Sequence, residues 1–167
     1  MRPLLILLAL LPSLCLSKDI IYQKYKFKVP DEYKMMQSEI SDTLYFFIEG
    51  QKPNLALGEL KKDSYKPSEF GVSSKRQIFR ILYNDEVPST NKSILELRRL
   101  TEKFKLQKKS ISEDRGFVFF RMDNALDRIG VTFLVSTPIN DEMLKINFFG
   151  EPDEKFIKSV MDSLKVK

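Results

Sequence analysis

The chain is 167 residues long, carries 28 Lys plus Arg against 23 Asp plus Glu for a formal charge of +5, and contains one cysteine, no histidine and no tryptophan. Without imidazole, and with its one cysteine at position 15, it lacks the side chains for Ser-His-Asp or Cys-His catalysis, imidazole acid–base chemistry, and the usual zinc, copper or haem ligation. An intramolecular disulfide is excluded on the same count, so packing has to supply stability.

The opening MRPLLILLALLPSLCLS sets Arg2 before an apolar stretch from Leu4 to Leu11, followed by Pro12 and small residues at Ser13, Cys15 and Ser17. This is the layout of a secretory leader, with cleavage expected after Ser17. The stretch from Pro3 to Ser17 is shorter than the roughly 20 residues of a spanning helix, and Pro12 would interrupt it. Bulky Leu14 ahead of Cys15 argues against a lipid anchor. The expectation is therefore an exported protein, periplasmic or secreted, neither membrane-spanning nor lipidated, with a leader over 1–17. Subtracting 17 from 167 leaves 150 residues for one domain over 18–167.

In KYKFKVP, Tyr25, Phe27 and Val29 alternate with Lys24, Lys26 and Lys28. Period two predicts a half-buried strand, and the lysines suit an edge. Pro30 ends it and Asp31-Glu32 make a turn. TLYFFIEG and NLALGEL read as a strand pair joined by the Gly50 to Asn54 break, while MMQSEI between them and the first strand is ambiguous. Lys61 to Ser74, with Pro67 and Gly71, reads as a surface loop. QIFRILY fits a strand through Phe79, Ile81 and Tyr83 and a helical stripe through Ile78, Ile81 and Leu82, so it stays open between the two.

A helix follows, opened by Ser93-x-x-Glu96 in capping-box spacing and carrying Ile94, Leu97, Leu100 and Phe104 on its inner face. Removing Arg2 with the leader leaves 27 Lys plus Arg against 23 Asp plus Glu, and much of this excess lies between Lys92 and Lys109. Arg98, Arg99, Lys103, Lys105, Lys108 and Lys109 gather near and beyond the helix end, where the helix dipole favours cations. They form the candidate interaction surface, with the loop from Lys61 to Ser74 beside it. The plainer reading of the same charges is a solvated helix face.

GFVFFRMD, RIGVTFLVS and MLKINFFG then form a meander, the first two joined by a link around Asn124 to Asp127. Runs such as FVFF and VTFLV lack alternation, which predicts burial on both faces. Pro152 is expected at the first position of a closing helix whose stripe is Phe156, Ile157, Val160, Met161 and Leu164. The fold class predicted is α+β: a mainly antiparallel sheet covered by the middle helix and the C-terminal amphipathic helix.

FKVPDEY, DTLYFFIEG, the helix from Ser93, GFVFFRMD, DRIGVTFLV and LKINFFGEPDEKFIKSVMDSLK, in this order, resemble the PsbP-like superfamily, which includes periplasmic DcrB-type proteins. The likeness covers most of the chain after the leader. The family's Pro-x-Gly-Trp turn is here Pro30-Asp31-Glu32-Tyr33. The resemblance implies an accessory, assembly or binding module with no shared catalytic site.

Other candidates carry less. The pairs Asp31-Glu32, Asp85-Glu86, Glu113-Asp114 and Asp141-Glu142 stand beside turns, where acidic residues are ordinary loop chemistry, although carboxylates across a cleft could hydrolyse a glycosidic bond or hold calcium. Thirteen phenylalanines read as core packing before they read as a cavity lining. Asn91-Lys92-Ser93 is a glycosylation sequon. The expectation is a non-catalytic binding protein with no cofactor or metal. Its partner would be a protein, with an anionic surface as the variant and nucleic acid set aside because the chain is exported. A carrier of a small apolar ligand and a toxin-neutralising immunity protein are the alternatives.

Overall fold

The computed structural model describes residues 17–60, 64–84, 90–103, 108–123, 129–137 and 142–167. Residues 1–16 of the expected leader, Cys15 included, lie outside the described residues. The elements run β1 (Ser17–Tyr22), β2 (Tyr25–Pro30), β3 (Tyr33–Gln37), β4 (Leu44–Ile48), β5 (Leu55–Glu59), a 3-10 turn (Pro67–Phe70), α1 (Lys75–Tyr83), α2 (Lys92–Lys103), β6 (Lys108–Asp114), β7 (Phe117–Asp123), β8 (Ile129–Ser136), β9 (Met143–Phe149), α3 (Glu154–Ser163) and β10 (Lys165–Val166). The strand pairings are antiparallel, in a seven-stranded sheet of order β3-β4-β5-β9-β8-β7-β6 and a small sheet of order β1-β2-β10. The α+β class predicted from the pattern is the one found.

The alternation around Tyr25 does build a strand, but not an edge. β2 is flanked by β1 and β10, so its lysines mark an outer face, where Lys26 reaches Asp19 across the ladder at 2.9 Å. Ser17, the expected cleavage point, is the first residue of β1 and pairs with Pro30. The ambiguous Met35 and Met36 lie in β3, at one edge of the large sheet.

Both faces of the large sheet are covered, which is why its central strands do not alternate. On one face Phe117 and Phe119 of β7 join Phe46, Leu55, Leu57, Leu144, Ile146 and Phe148 under the small sheet and α3. On the other, Val118 and Phe120 meet Ile78, Phe79 and Leu82 of α1 and Ile94 of α2. QIFRILY is thus a helix. Ser74 caps it by accepting from the Gln77 amide at 3.3 Å, and Gln77 Oε1 in turn accepts from Ser73. α1, which the sequence left open, is the helix laid against β6 and β7, and α2 packs on α1 and the 3-10 turn.

Three boundaries need correction. Asn91, not Ser93, caps α2: its Oδ1 accepts from the amides of Ser93 and Ile94 at 2.9 and 3.2 Å, opening the helix two residues earlier than the capping-box spacing suggested. Asp153 caps α3 and accepts from the Lys155 amide at 3.0 Å, so Pro152 stands before the cap instead of inside the first turn. The loop after Lys61 is pinned where it is described, because Phe70 is buried and Gly71 turns left-handed at φ 66° to end the 3-10 turn.

The closing strand and helix are held by contacts at several points. A register shift between Ile129 and Val131 places Gly130 so close to the β9–α3 turn that a Cβ there would meet the Gly150 carbonyl oxygen at 2.0 Å. Ile157, Val160, Met161 and Leu164 are buried, and Phe156 stacks on Tyr33 with ring centroids 5.2 Å apart.

Candidate functional site: a basic helical face

The candidate cations divide by what they touch. Arg98 donates from Nε and Nη2 to the Ile81 carbonyl at 3.2 and 2.6 Å and from Nη2 to the Asn84 carbonyl at 3.0 Å. Lys109 donates to the Leu82 carbonyl at 3.4 Å. Both satisfy carbonyls in and just after the last turn of α1, which a helix leaves without internal partners. These two residues tie α2 and β6 to α1, so their part in the face is structural first. Lys108 and Lys109 belong to β6, an edge strand with one apolar residue, Ile111, that the expected meander did not include. Lys105 lies outside the described residues, as do the side chains of Lys103 and Lys108.

Arg99 is different. Its side chain is 69% exposed and reaches Glu96 only at 4.0 Å. It shares the outward stripe of α2 with Lys92 and with Leu95, a large apolar side chain left 46% exposed. Spacings of three, four and seven put these residues on one helix face. The inward Ile94 is 1% exposed. Leu95 was missed because the charges drew attention to the basic positions; as an apolar residue just off the Ile94 stripe it could have been singled out.

α1 enlarges the basic layer with Arg76 and Arg80, and Arg80 pairs with Glu113 on β6. A groove of about 640 Å³ beside it is lined by Gly71, Val72, Ser73, Gln77, Arg80 and Ile81. Beneath, Tyr83 is held protonated well beyond the usual range, first by burial and then by neighbouring Tyr65.

A second cluster of charges fixes α3. Arg115 donates to the carbonyls of Met161 at 3.0 Å, Asp162, and Leu164 at 3.5 Å, at the C-terminal end of the helix. Arg121 grips Glu154 at the other end and Asp123 beside it, and these hydrogen bonds, Glu154 first, raise its already high pKa. Between these arginines a cleft of about 230 Å³ has Phe119 and Phe133 in its lining.

Among the described residues the members of the acidic pairs go to different places, Glu142 to Lys24 at the β1–β2 turn. Asp31 and Glu32 are exposed in a turn, Glu113 and Asp114 serve Arg80 and Arg115, and Asp85, Glu86 and Asp141 lie outside the described residues. Asn91, the sequon residue, spends its carbonyl on the α2 cap. Among the described residues no set of three acidic, His or Cys side chains is placed to hold a metal, and no helix is long and apolar enough to cross a membrane.

No protein-family model matches the chain, and no curated protein matches it. Among solved structures, the solution structure of cyanobacterial PsbP (CyanoP) from Synechocystis sp. PCC 6803 is similar, with a TM-score of 0.50 and 10% identity over 91% of this chain and 92% of that one. Identity at that level speaks for the backbone alone, and it makes the fold PsbP-like.

Proposed function

We propose that the chain is an exported, non-catalytic accessory protein of the DcrB type that acts by binding a protein partner with an acidic surface, through the outward face of α2. The observation that carries this reading is the stripe Lys92, Leu95 and Arg99: an exposed leucine set between cations that point to solvent. Such a stripe combines an apolar anchor with charges that steer an anionic partner. The tie from Arg98 to α1 supports it by holding α2 in place, and Lys109 of β6 anchors α1 in turn. Rim charges of this kind act on association and on salt dependence more than on final affinity.

The test is charge reversal by Lys92→Glu with Arg99→Glu, positions that leave the α1 ties intact. A tagged chain purified from its native source at low salt is expected to retain a stoichiometric partner, to lose it with the double reversal, and to keep it with Lys34→Glu on β3. Undiminished capture by the double variant would overturn the proposed face.

A further inference from the structure

One end of the sandwich between the two sheets collects acidic groups over buried tyrosines. Asp42 precedes β4 by two residues, Glu59 ends β5, and Glu142 comes just before β9. Glu59 shares the β5 face of Leu55 and Leu57, which lies under the small sheet, while Asp42 is brought there by the bond its carbonyl accepts from Tyr22 and Glu142 by its pair with Lys24. Opposite them is the β1–β2 turn. Its Lys24 ammonium meets Glu142 at 2.5 Å and sits 5.5 Å from the centroid of the Tyr25 ring. Tyr22 donates to the Asp42 carbonyl at 2.8 Å. The Tyr25 hydroxyl, on a residue with 0% exposure, has no hydrogen-bond partner among the described residues.

A buried hydroxyl with no partner among the described residues, beside several carboxylates, is a place where a ligand with N–H groups can bond. The phenol can accept as well as donate, and the carboxylates accept only, so a cation that carries hydrogens suits both at once. Three carboxylates stand here against one ammonium among the described residues. An ammonium is also the group the protein itself already seats there, on Glu142 and over the Tyr25 ring, in the geometry of a cation–π contact. Burial and Glu142 push Glu59 above the ordinary carboxylate range, and burial with Glu59 and Glu142 pushes Tyr25 up to about 12. Both shifts are those of a crowded negative site.

We propose that this end of the sandwich binds a small primary alkyl-diammonium ion, one ammonium taking the place of Lys24 on Glu142 and over Tyr25, the other held by Glu59 and Asp42. Lys24 is then the internal occupant that the ligand displaces. The reading is independent of the α2 face, which lies on the helix-covered side of the large sheet.

The experiment is titration of the ¹⁵N-labelled chain with 1,4-diaminobutane, with calcium chloride and sodium chloride at matched ionic strength as separate arms. Saturable shifts centred on Tyr22 to Tyr25 and Glu59 are expected for the diamine alone. Glu59→Gln, which removes a charged acceptor, should weaken binding at least about tenfold. Tyr25→Phe removes a hydroxyl without a partner among the described residues, so it should fold normally and still bind more weakly, while Lys24→Ala, lacking the internal competitor, should bind more tightly. Equal shifts with sodium chloride would reduce the effect to screening, and saturable shifts with calcium instead of diamine would make the site one for a metal. Either outcome, or Tyr25→Phe and Glu59→Gln binding like the parent, overturns the proposal.

Discussion

Arg115 tests how the closing helix is held, because its side chain and its backbone pull in opposite directions. It occupies the first position of the two-residue β6–β7 turn at φ 50°, followed by Gly116 at φ 81°. Both values are left-handed, as a type I′ hairpin requires, and the first position would ordinarily go to Asn, Asp or Gly. A non-glycine residue there costs about 1–2 kcal/mol. Against that cost stand the bonds to the carbonyls of Met161 and Asp162 and the longer one to Leu164. Bonds from a charged donor contribute about 1.5–3 kcal/mol each when well shielded. The side chain is 39% exposed, so solvent screening reduces the set to about 2 kcal/mol in all.

Arg115→Met keeps the strain and loses the bonds, and should cost about 2 kcal/mol, or about 4–8 °C in Tm for a chain of this size. Arg115→Gly loses the same bonds but relieves the left-handed strain, net of glycine's greater freedom when unfolded, and should cost only about 1 kcal/mol. Urea denaturation followed by circular dichroism reads both, provided m is unchanged. If Arg115→Met lies within about 0.5 kcal/mol of the parent, or if Arg115→Gly is the less stable of the two, the helix is not held in this way.

Two further outcomes follow from the core. Gly130→Ala should destabilise by about 3 kcal/mol or more, since its Cβ would fall 2.0 Å from the Gly150 oxygen and 2.8 Å from Pro152 Cδ; thermal melting near the parent value would show that this turn can move aside. Tyr22 and Tyr25 are raised to about 12 in the folded chain, chiefly by burial, and Tyr83 is raised further. The unfolded phenol titrates near 10, so the unfolded chain loses these protons first, and stability that is complete below about pH 10 should fall as pH rises towards 12. Tyr25→Phe should flatten that fall, and an unchanged alkaline slope in the variant would contradict the assignment.

The sequence carried the large sheet well because its strands bury residues on both faces, leaving apolar runs too short for helices and bounded by turn residues. It was less informative where an element is polar or very short. Lys108 to Asp114 offers only Ile111 to a cluster, since an edge strand buries little, and β10 is two residues long. The α1 helix was ambiguous by periodicity alone, yet Ser74-x-x-Gln77 has the capping spacing that was credited to Ser93-x-x-Glu96. At the second place Asn91 competes more effectively, its carbonyl reaching two amides at once. The basic cluster was legible as charge, but its division was not. Whether an arginine caps another helix, as Arg98 does, or points to solvent, as Arg99 does, depends on which helix lies beside it. The acidic end of the sandwich was invisible for the same reason, because Asp42, Glu59 and Glu142 meet only where the strand ends come together beneath the β1–β2 turn.

The central claim is that the outward face of α2 is where a partner docks. The most direct measurement places a photo-crosslinking amino acid at Leu95, and separately at Met35 on the far edge strand, in cells that express the chain from its native source. The account predicts one acidic protein captured from position 95, diminished by added salt, and nothing comparable from position 35. Equal capture from both positions, or capture from 35 alone, would contradict it.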